Sequence, residues 1–362
     1  MRFYVAPNGT ATGGSSWTNP GILTNILTNV LNSPSRGGDE IWALGGPYYL
    51  TAPLVINNNK EPLSIYGGFV GGETYLCQRN ANIDSTNYPN FFQHPSILEA
   101  VGGNRVIEMQ NANVCLIDGF VIQKGNAGTG DGGGVHANGQ NLRFENLVIM
   151  DNTAGRNGGG MYTAAMINLM IKNTIFFNNH ATNNGGGIWI GDGDNQLLVN
   201  VLFNNNQTNG GNGNAIFVTP DPYNVKIVNN TISGNLPAST PSVYCNSPLH
   251  VEIYNSIIYP DNLVAVGGTP ILNVRVDYCC LSNLLPPNIQ GSNNLITNPL
   301  FVVGDYHLQP TSPCIDAGST NLIFPLSATD LEGKPRFIDK GMGTPPSFPT
   351  IKVIDMGAFE VQ

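Results

Sequence analysis

The sequence predicts an all-β fold, a single-stranded right-handed parallel β-helix with an N-terminal helical cap and an irregular C-terminal cap. The first observation behind this prediction is a repeated motif, in which glycines are followed by an aliphatic residue and then by a ring; the fourth copy keeps one glycine and the fifth keeps none. The ring positions are separated by 26, 27, 28 and 27 residues, at His136, Tyr162, Trp189, Phe217 and Tyr244. A fixed period of this length is typical of stacked structural repeats.

The second observation is a column of asparagines with the same period. Its members are separated by 27, 27, 29 and 26 residues, at Asn146, Asn173, Asn200, Asn229 and Asn255. The positions four and two residues before most of these asparagines are apolar, as in Leu142 and Phe144. Such alternation indicates a strand with one buried face. In stacked coils the asparagine side chains can also hydrogen-bond along their own column.

Composition disfavours a helical repeat of similar length. Gly, Asn, Thr and β-branched residues fill the repeats, and these favour strands and turns. We expect roughly nine or ten turns from the repeat and chain lengths. Residues 22–31 have apolar side chains at helical spacing, which predicts one amphipathic helix covering the first coil. The expected regions are 1–60 for the N-terminal cap and first coils, 61–300 for the β-helix, and 301–362 for the C-terminal cap.

Charge and hydropathy disfavour two classes of partner, nucleic acids and membranes. Charged residues make up only 11% of the chain and the net charge is −9, which disfavours nucleic acid because binding it requires clustered Lys and Arg. No apolar run reaches about 18 residues, so we expect no membrane span. The chain enters a strand directly after Met1 and carries no signal peptide, so an exported form would have lost its signal.

The six cysteines allow two interpretations. A bridge between Cys280 and Cys314 would join the last coil to the tail, which suits an exported protein. Alternatively, the thiols are free in the core, where Cys115 and Cys245 take inward strand positions.

Both ends of the chain resemble a known class of proteins. The motifs that carry this resemblance are Ile65-Tyr66-Gly67-Gly68-Phe69, Asn298-Pro299-Leu300-Phe301, Ser312-Pro313-Cys314-Ile315-Asp316-Ala317-Gly318 and Asp355-Met356-Gly357-Ala358-Phe359-Glu360. They resemble secreted right-handed β-helix proteins with a choice-of-anchor C-terminal region, common in Bacteroidetes-type bacteria. The middle repeats are similar to those of chlamydial polymorphic membrane proteins, which are adhesins. The resemblance implies a secreted or cell-surface location and no defined activity.

The leading candidate site is the ring column. The residues that flank each ring are small or aliphatic, so strand alternation turns the rings outward. His136, Tyr162, Trp189, Phe217 and Tyr244 would then form an exposed ladder that stacks on sugar rings or contacts a protein. The alternative is that the ladder only stabilises the sheet.

Two other sites are considered. Asp192, Asp194 and Asp221 lie in neighbouring coils, and their oxygens could hold Ca²⁺, although solvated Asp-Gly turns explain the same pattern. His136 with Asp131 and Arg156 is the one cluster near the ring face suited to proton transfer. A lone histidine in a ladder is more often structural, so we assign no catalytic residue.

The sequence therefore favours a non-enzymatic, extracellular or cell-surface adhesin or binding scaffold that contacts a glycan or a surface protein. Parallel β-helices also host polysaccharide lyases and glycoside hydrolases, so an enzyme acting on a polysaccharide is the first alternative. A structural subunit that self-associates into a filament or surface layer is the second.

Overall fold

The protein, described here by a computed structural model, is a parallel β-helix in which every coil surrounds one apolar core. It has about eight turns. This is fewer than the roughly nine or ten expected from the period, because the chain after Ile296 leaves the coil. The described residues are 1–10, 12–33, 38–59, 61–79, 92–220, 222–246, 250–266, 273–321, 327–340 and 354–362.

The strands are short except where one strand passes through two or three sheets. In the N-terminal half they are β1 (Arg2–Val5), β2 (Asp39–Leu44), β3 (Gly46–Leu50), β4 (Leu54–Asn57), β5 (Leu63–Phe69), β6 (Ser96–Ala100), β7 (Ile107–Asp118), β8 (Phe120–Gln123), β9 (Val135–Met150), β10 (Thr153–Ala154), β11 (Met161–Phe177), β12 (His180–Ala181) and β13 (Ile188–Ile190). In the C-terminal half they are β14 (Gly193–Asn204), β15 (Gln207–Thr208), β16 (Ile216–Val218), β17 (Tyr223–Val228), β18 (Thr231–Ser233), β19 (Val243–Asn246), β20 (Val251–Tyr254), β21 (Ile257–Ile258), β22 (Leu263–Val266), β23 (Val274–Asp277), β24 (Cys280–Leu281), β25 (Gln290–Ser292) and β26 (Leu295–Ile296).

Three parallel sheets form the sides of the coil. The ring sheet contains β4, the first parts of β7, β9 and β11, and then β13, β16, β19 and β22. The second sheet runs from β1, β2 and β5 through the middle of the long strands to β17, β20, β23 and β25. The third sheet runs from β3, β6 and β8 through the last parts of the long strands to β18, β21, β24 and β26.

The asparagine column lies at the corner between the second and third sheets. Its members have φ between +48° and +54°, the left-handed region that asparagine tolerates better than most residues. The Asn173 amide donates to Asn146 at 3.1 Å, and the Asn200 amide donates to Asn173 at 3.0 Å. At the corner before the ring sheet, Gly158 and Gly185 have φ of +66° and +68°, which glycine adopts without strain. These contacts confirm the predicted columns.

The predicted helix is present as α1 (Leu23–Asn32). Its apolar face, with Leu23, Ile26 and Leu27, is buried in the core at the N-terminal end of the coil. This cover disfavours end-to-end stacking of copies at that end. No helix among the described residues is both long and apolar enough to cross a membrane.

The described residues after Ile296 form an irregular region that lies along the outer face of the third sheet. Leu331, Ala358 and Phe359 pack there against a row of outward residues, among them Ile175 and Leu202. The C-terminal region therefore covers several coils from the side.

Candidate functional site

The five predicted rings occupy one row of the ring sheet. The strand register pairs His136 with Tyr162, Tyr162 with Trp189, Trp189 with Phe217, and Phe217 with Tyr244. The flanking residues, such as Val135 and Ala137 beside His136, are fully buried. Alternation therefore turns the ring side chains away from the core, as strand geometry requires. We call these five residues the ring row.

The rings lie face to face and form two stacks. The His136 and Tyr162 centroids are 5.0 Å apart with planes 8° apart, and those of Tyr162 and Trp189 are 4.3 Å and 10° apart. The second stack joins Phe217 and Tyr244 at 5.4 Å and 10°. Because the rings cover one another's faces, solvent meets mainly their edges. The expected stacking of sugars on exposed ring faces is therefore disfavoured, and contact through polar ring edges is favoured.

The ring row is not uniformly exposed. Phe217 is only 7% exposed, since its neighbours in register flank it on both sides, so the expectation of five exposed rings does not hold there. His136, Tyr162, Trp189 and Tyr244 are partly exposed. Neither the Tyr162 hydroxyl nor the Trp189 indole N–H has a hydrogen-bond partner among the described residues, and neither is buried. Both groups are available to a ligand.

Glu108 extends the ring row by one coil, because the register pairs it with His136. Its Oε1 lies 3.2 Å from His136 Nδ1, and it forms an ion pair with Arg105. Sequence reasoning missed both residues. The period would have located Glu108, since it precedes His136 by 28 residues, the largest of the ring spacings.

Burial and hydrogen bonds set the protonation of this pair. Burial alone favours the neutral form of Glu108, but hydrogen bonds from Gln110 and Arg105 outweigh it and lower the pKa of the carboxyl group. Burial lowers the pKa of His136, against the attraction of Glu108. At neutral pH the site therefore presents a carboxylate next to a neutral imidazole, a pair that can accept a proton.

The predicted neighbours Asp131 and Arg156 lie close to this end of the ring row. Asp131 Oδ2 is 3.5 Å from Arg156 Nη1, and its backbone oxygen accepts a 3.0 Å hydrogen bond from Arg105. Asp131 Oδ1 accepts two 2.9 Å hydrogen bonds from Asn157. Arg156 is the most exposed of these groups, with 61% of its side chain accessible. The edge of the first stack therefore carries two arginines and two carboxylates, of which the sequence predicted Asp131 and Arg156.

The structure describes two of the three predicted calcium ligands, Asp192 and Asp194. Asp192 is exposed, and Asp194 has one buried carboxylate oxygen without a hydrogen-bond partner. Asp221 lies outside the described residues. Within the described part of the chain, no group of three or more His, Cys, Asp or Glu side chains is placed to hold a metal ion. The Ca²⁺ site stays a prediction.

Cys280 and Cys314 come together as the sequence suggested. Both are buried free thiols in one apolar cluster with Ile257, Ile315 and Met356. Whether they form a bridge in the oxidised protein is treated as a prediction in the Discussion.

Comparison with known proteins gives a likeness of fold. No protein-family profile matches the chain, and no curated protein matches it. Among solved structures it is similar to pectin methylesterase from Aspergillus niger in its penultimately deglycosylated form, with 12% identity, coverage of 82% of this chain and 86% of that chain, and a TM-score of 0.40. For the deglycosylated form the identity is 13%, the coverage 81% and 84%, and the TM-score 0.39. The function of this chain has to be inferred from its own residues.

Proposed function

We propose that the protein is a secreted or cell-surface scaffold that binds polysaccharide along the ring row. The observation that carries this proposal is a line of polar ring edges, without protein partners at Tyr162 and Trp189, next to Arg105 and Arg156. A polysaccharide that runs along the coil axis would meet one ring per coil, at the strand spacing of about 4.8 Å.

The chemistry of the ring row favours a glycan over a protein partner. The groups that face solvent are a hydroxyl, an indole N–H, an imidazole and charged side chains, while the apolar ring faces are turned toward one another. The core of a protein interface is enriched in Tyr, Trp and Arg but depleted in Glu and Asp, which this site also presents. Sugar hydroxyls, in contrast, donate to carboxylates and accept from N–H groups.

Binding to a panel of immobilised neutral and acidic polysaccharides tests the proposal. Tyr162→Phe keeps the stacked ring and removes only its hydroxyl, so affinity should fall by about three- to tenfold, the value of one hydrogen bond. Trp189→Ala removes both the indole N–H and the end of the first stack, and a larger loss is expected. Tyr49→Phe is the matched control, because Tyr49 is a 65% exposed tyrosine on the third sheet.

Retention by the wild type with unchanged affinity in both ring variants would contradict binding along the ring row. Retention of a surface protein but of no polysaccharide would replace the glycan with a protein partner. Either result can be read only if thermal melting shows that the variants are folded.

A second candidate is an enzyme acting on the same polysaccharide, and the contact between Glu108 and His136 favours it. A neutral imidazole beside a carboxylate can accept a proton from a substrate, and the Arg105 guanidinium would pair with a uronate. Incubation with polysaccharides, scored for reducing ends and for unsaturated products, separates the two candidates. Turnover that is lost in His136→Ala and in Glu108→Gln would favour the enzyme, and retention without turnover would favour the scaffold.

A further inference from the structure

The ring row leads to a cavity at the C-terminal end of the ring sheet. Val264 follows Tyr244 in register, and Val264 also lines a cavity of about 280 Å³. Leu263, Leu281 and Ile258, from the last described coils, form its apolar wall. Residues 282–286 line the remaining side. The cavity is slightly smaller than typical small-molecule sites, which begin at about 300 Å³.

The only charged residue that lines this cavity among the described residues is already fully engaged. Asp261 accepts hydrogen bonds from the backbone N–H groups of Gly234 and Asn235 at 3.1 and 3.2 Å, and from the Asn235 side chain at 2.6 Å. Burial raises the pKa of Asp261, against these hydrogen bonds. The carboxyl group therefore terminates a chain of protein hydrogen bonds and is not left for a cationic ligand.

The remaining polar groups are neutral, and three of them have no partner. Asn262 Oδ1 accepts from Asn283 Nδ2 at 2.7 Å and from Ser282 Oγ at 3.2 Å, which fixes the orientation of both amides. Three groups have no hydrogen-bond partner among the described residues: the side-chain N–H groups of Asn262, the side-chain oxygen of Asn283 and the hydroxyl of Ser239. The cavity thus combines donors, an acceptor and a hydroxyl with an apolar wall, which matches a neutral, hydroxyl-rich ring.

We propose that this cavity is a subsite for one neutral sugar residue at the end of the glycan. The inference rests on the proposed function for its link to the ring row, because the register places the cavity one coil beyond Tyr244. The size of the cavity limits it to about one sugar ring, and the absence of a cation among its described lining residues disfavours uronates there. The ring row would hold the chain, and the cavity its terminal residue.

Ligand-observed NMR with free hexoses at millimolar concentration tests the subsite. We expect saturation transfer to at least one of glucose, galactose, mannose or fucose, and none to glucuronate. Ser239→Trp fills the mouth of the cavity and should weaken hexose binding by about tenfold or more. Ser15→Trp is the matched control, because Ser15 is an exposed serine near the other end of the coil. Asn283→Leu removes one rim amide and the hydrogen bond that orients Asn262, so it should weaken binding without filling the cavity.

The outcomes distinguish this inference from the function on which it rests. Hexose binding that is lost in Ser239→Trp but kept in Tyr162→Phe, together with polysaccharide binding that is weakened in both variants, supports both proposals. Hexose binding blocked by Ser239→Trp without any retention of polysaccharide keeps the subsite and removes the ring row as a binding site. Failure of the wild type to bind any hexose, or equal hexose binding in Ser239→Trp, overturns the subsite whatever the ring row does.

Discussion

At the scale of single residues, asparagine side chains connect one coil to the next inside the protein. Asn152, Asn179, Asn206 and Asn235 form a buried series in which each amide oxygen accepts from the preceding residue, and Asp261 takes the last position. Each Nδ2 also donates to a backbone oxygen of an earlier coil, as Asn179 does to Ile149 at 2.8 Å. A buried amide is stable only when its hydrogen bonds are made, so this ladder fixes the register of the coils.

Asn179→Ala should reduce the free energy of unfolding by about 2 to 4 kcal/mol, because it leaves the Ile149 oxygen and two N–H groups of Asn152 without their partner in the interior. Asn168 belongs to an exposed ladder in the same repeat and has φ of +57°, which glycine accepts without strain. Asn168→Gly is therefore the matched control and should cost less than about 1 kcal/mol. Urea unfolding followed by circular dichroism measures both, and equal losses would contradict a special role of the buried ladder.

At the scale of elements, the C-terminal region takes over the hydrogen bonds of the corner asparagines. Asn200 donates to the Thr329 oxygen at 2.7 Å and accepts from Arg336 at 3.0 Å, and Asn255 exchanges two 2.8 Å hydrogen bonds with Ser319. In the corner asparagine column, hydrogen bonds between successive asparagines continue as far as Asn200. From Asn200 onward, these side chains also bond to the C-terminal region. The same segment covers the apolar outer face of the third sheet.

The contact between Cys280 and Cys314 predicts a bridge when the protein is folded under oxidising conditions. Interaction with the neighbouring Cys280 thiol and then burial raise the pKa of Cys314, so the folded thiol is protonated and reacts slowly. Oxidative refolding should leave four titratable thiols out of six after denaturation, and reduction should restore six. The bridge would add about 3 to 4 kcal/mol by closing the intervening loop.

Cys115→Ala should not change the loss of two thiols, whereas Cys314→Ala should abolish it. Six titratable thiols in the oxidised wild type would contradict the bridge. In that case the pair is simply part of the apolar contact between the third sheet and the tail.

At the scale of the whole molecule, the repeat period and the β-rich composition were enough to predict the coil, the corner asparagines and the row of rings, and helical spacing of apolar residues predicted the helix at the N-terminal end. The period could not reveal how the rings meet, because face-to-face stacking depends on side-chain torsions and not on spacing. It also could not place the tail, whose contacts with Asn200 and Asn255 join residues far apart in the sequence and follow no repeat. The period did not predict the cavity either, because residues 282–286 lie between two strands and outside the repeated motif.

The last prediction concerns how the tail stays docked. Arg336 is fully buried, and Asp330, Asp355 and Glu360 surround it, each 2% exposed or less. One guanidinium cannot neutralise three carboxylates away from water, so burial raises the pKa of Asp355 to about 6 and that of Glu360 to about 9. The ordinary values in the unfolded chain are 3.8 and 4.5, so folding takes up protons at these groups.

The contribution of Asp355 and Glu360 to the free energy of unfolding is therefore fully present below their pKa values in the unfolded chain. It is lost as the pH rises through about 6 for Asp355 and then about 9 for Glu360. Hydrogen exchange of residues 354–362 should accelerate beyond its intrinsic pH dependence across this range, while the buried strands of the ring sheet stay protected. Glu360→Gln keeps a neutral side chain at every pH and should flatten the upper part of the profile. Glu99→Gln is a control, because hydrogen bonding to Lys124 lowers the pKa of Glu99, and a lowered value affects stability only in acid. Protection of the tail that stays constant or increases toward alkaline pH would show that the buried carboxyl groups are ionised in the folded protein.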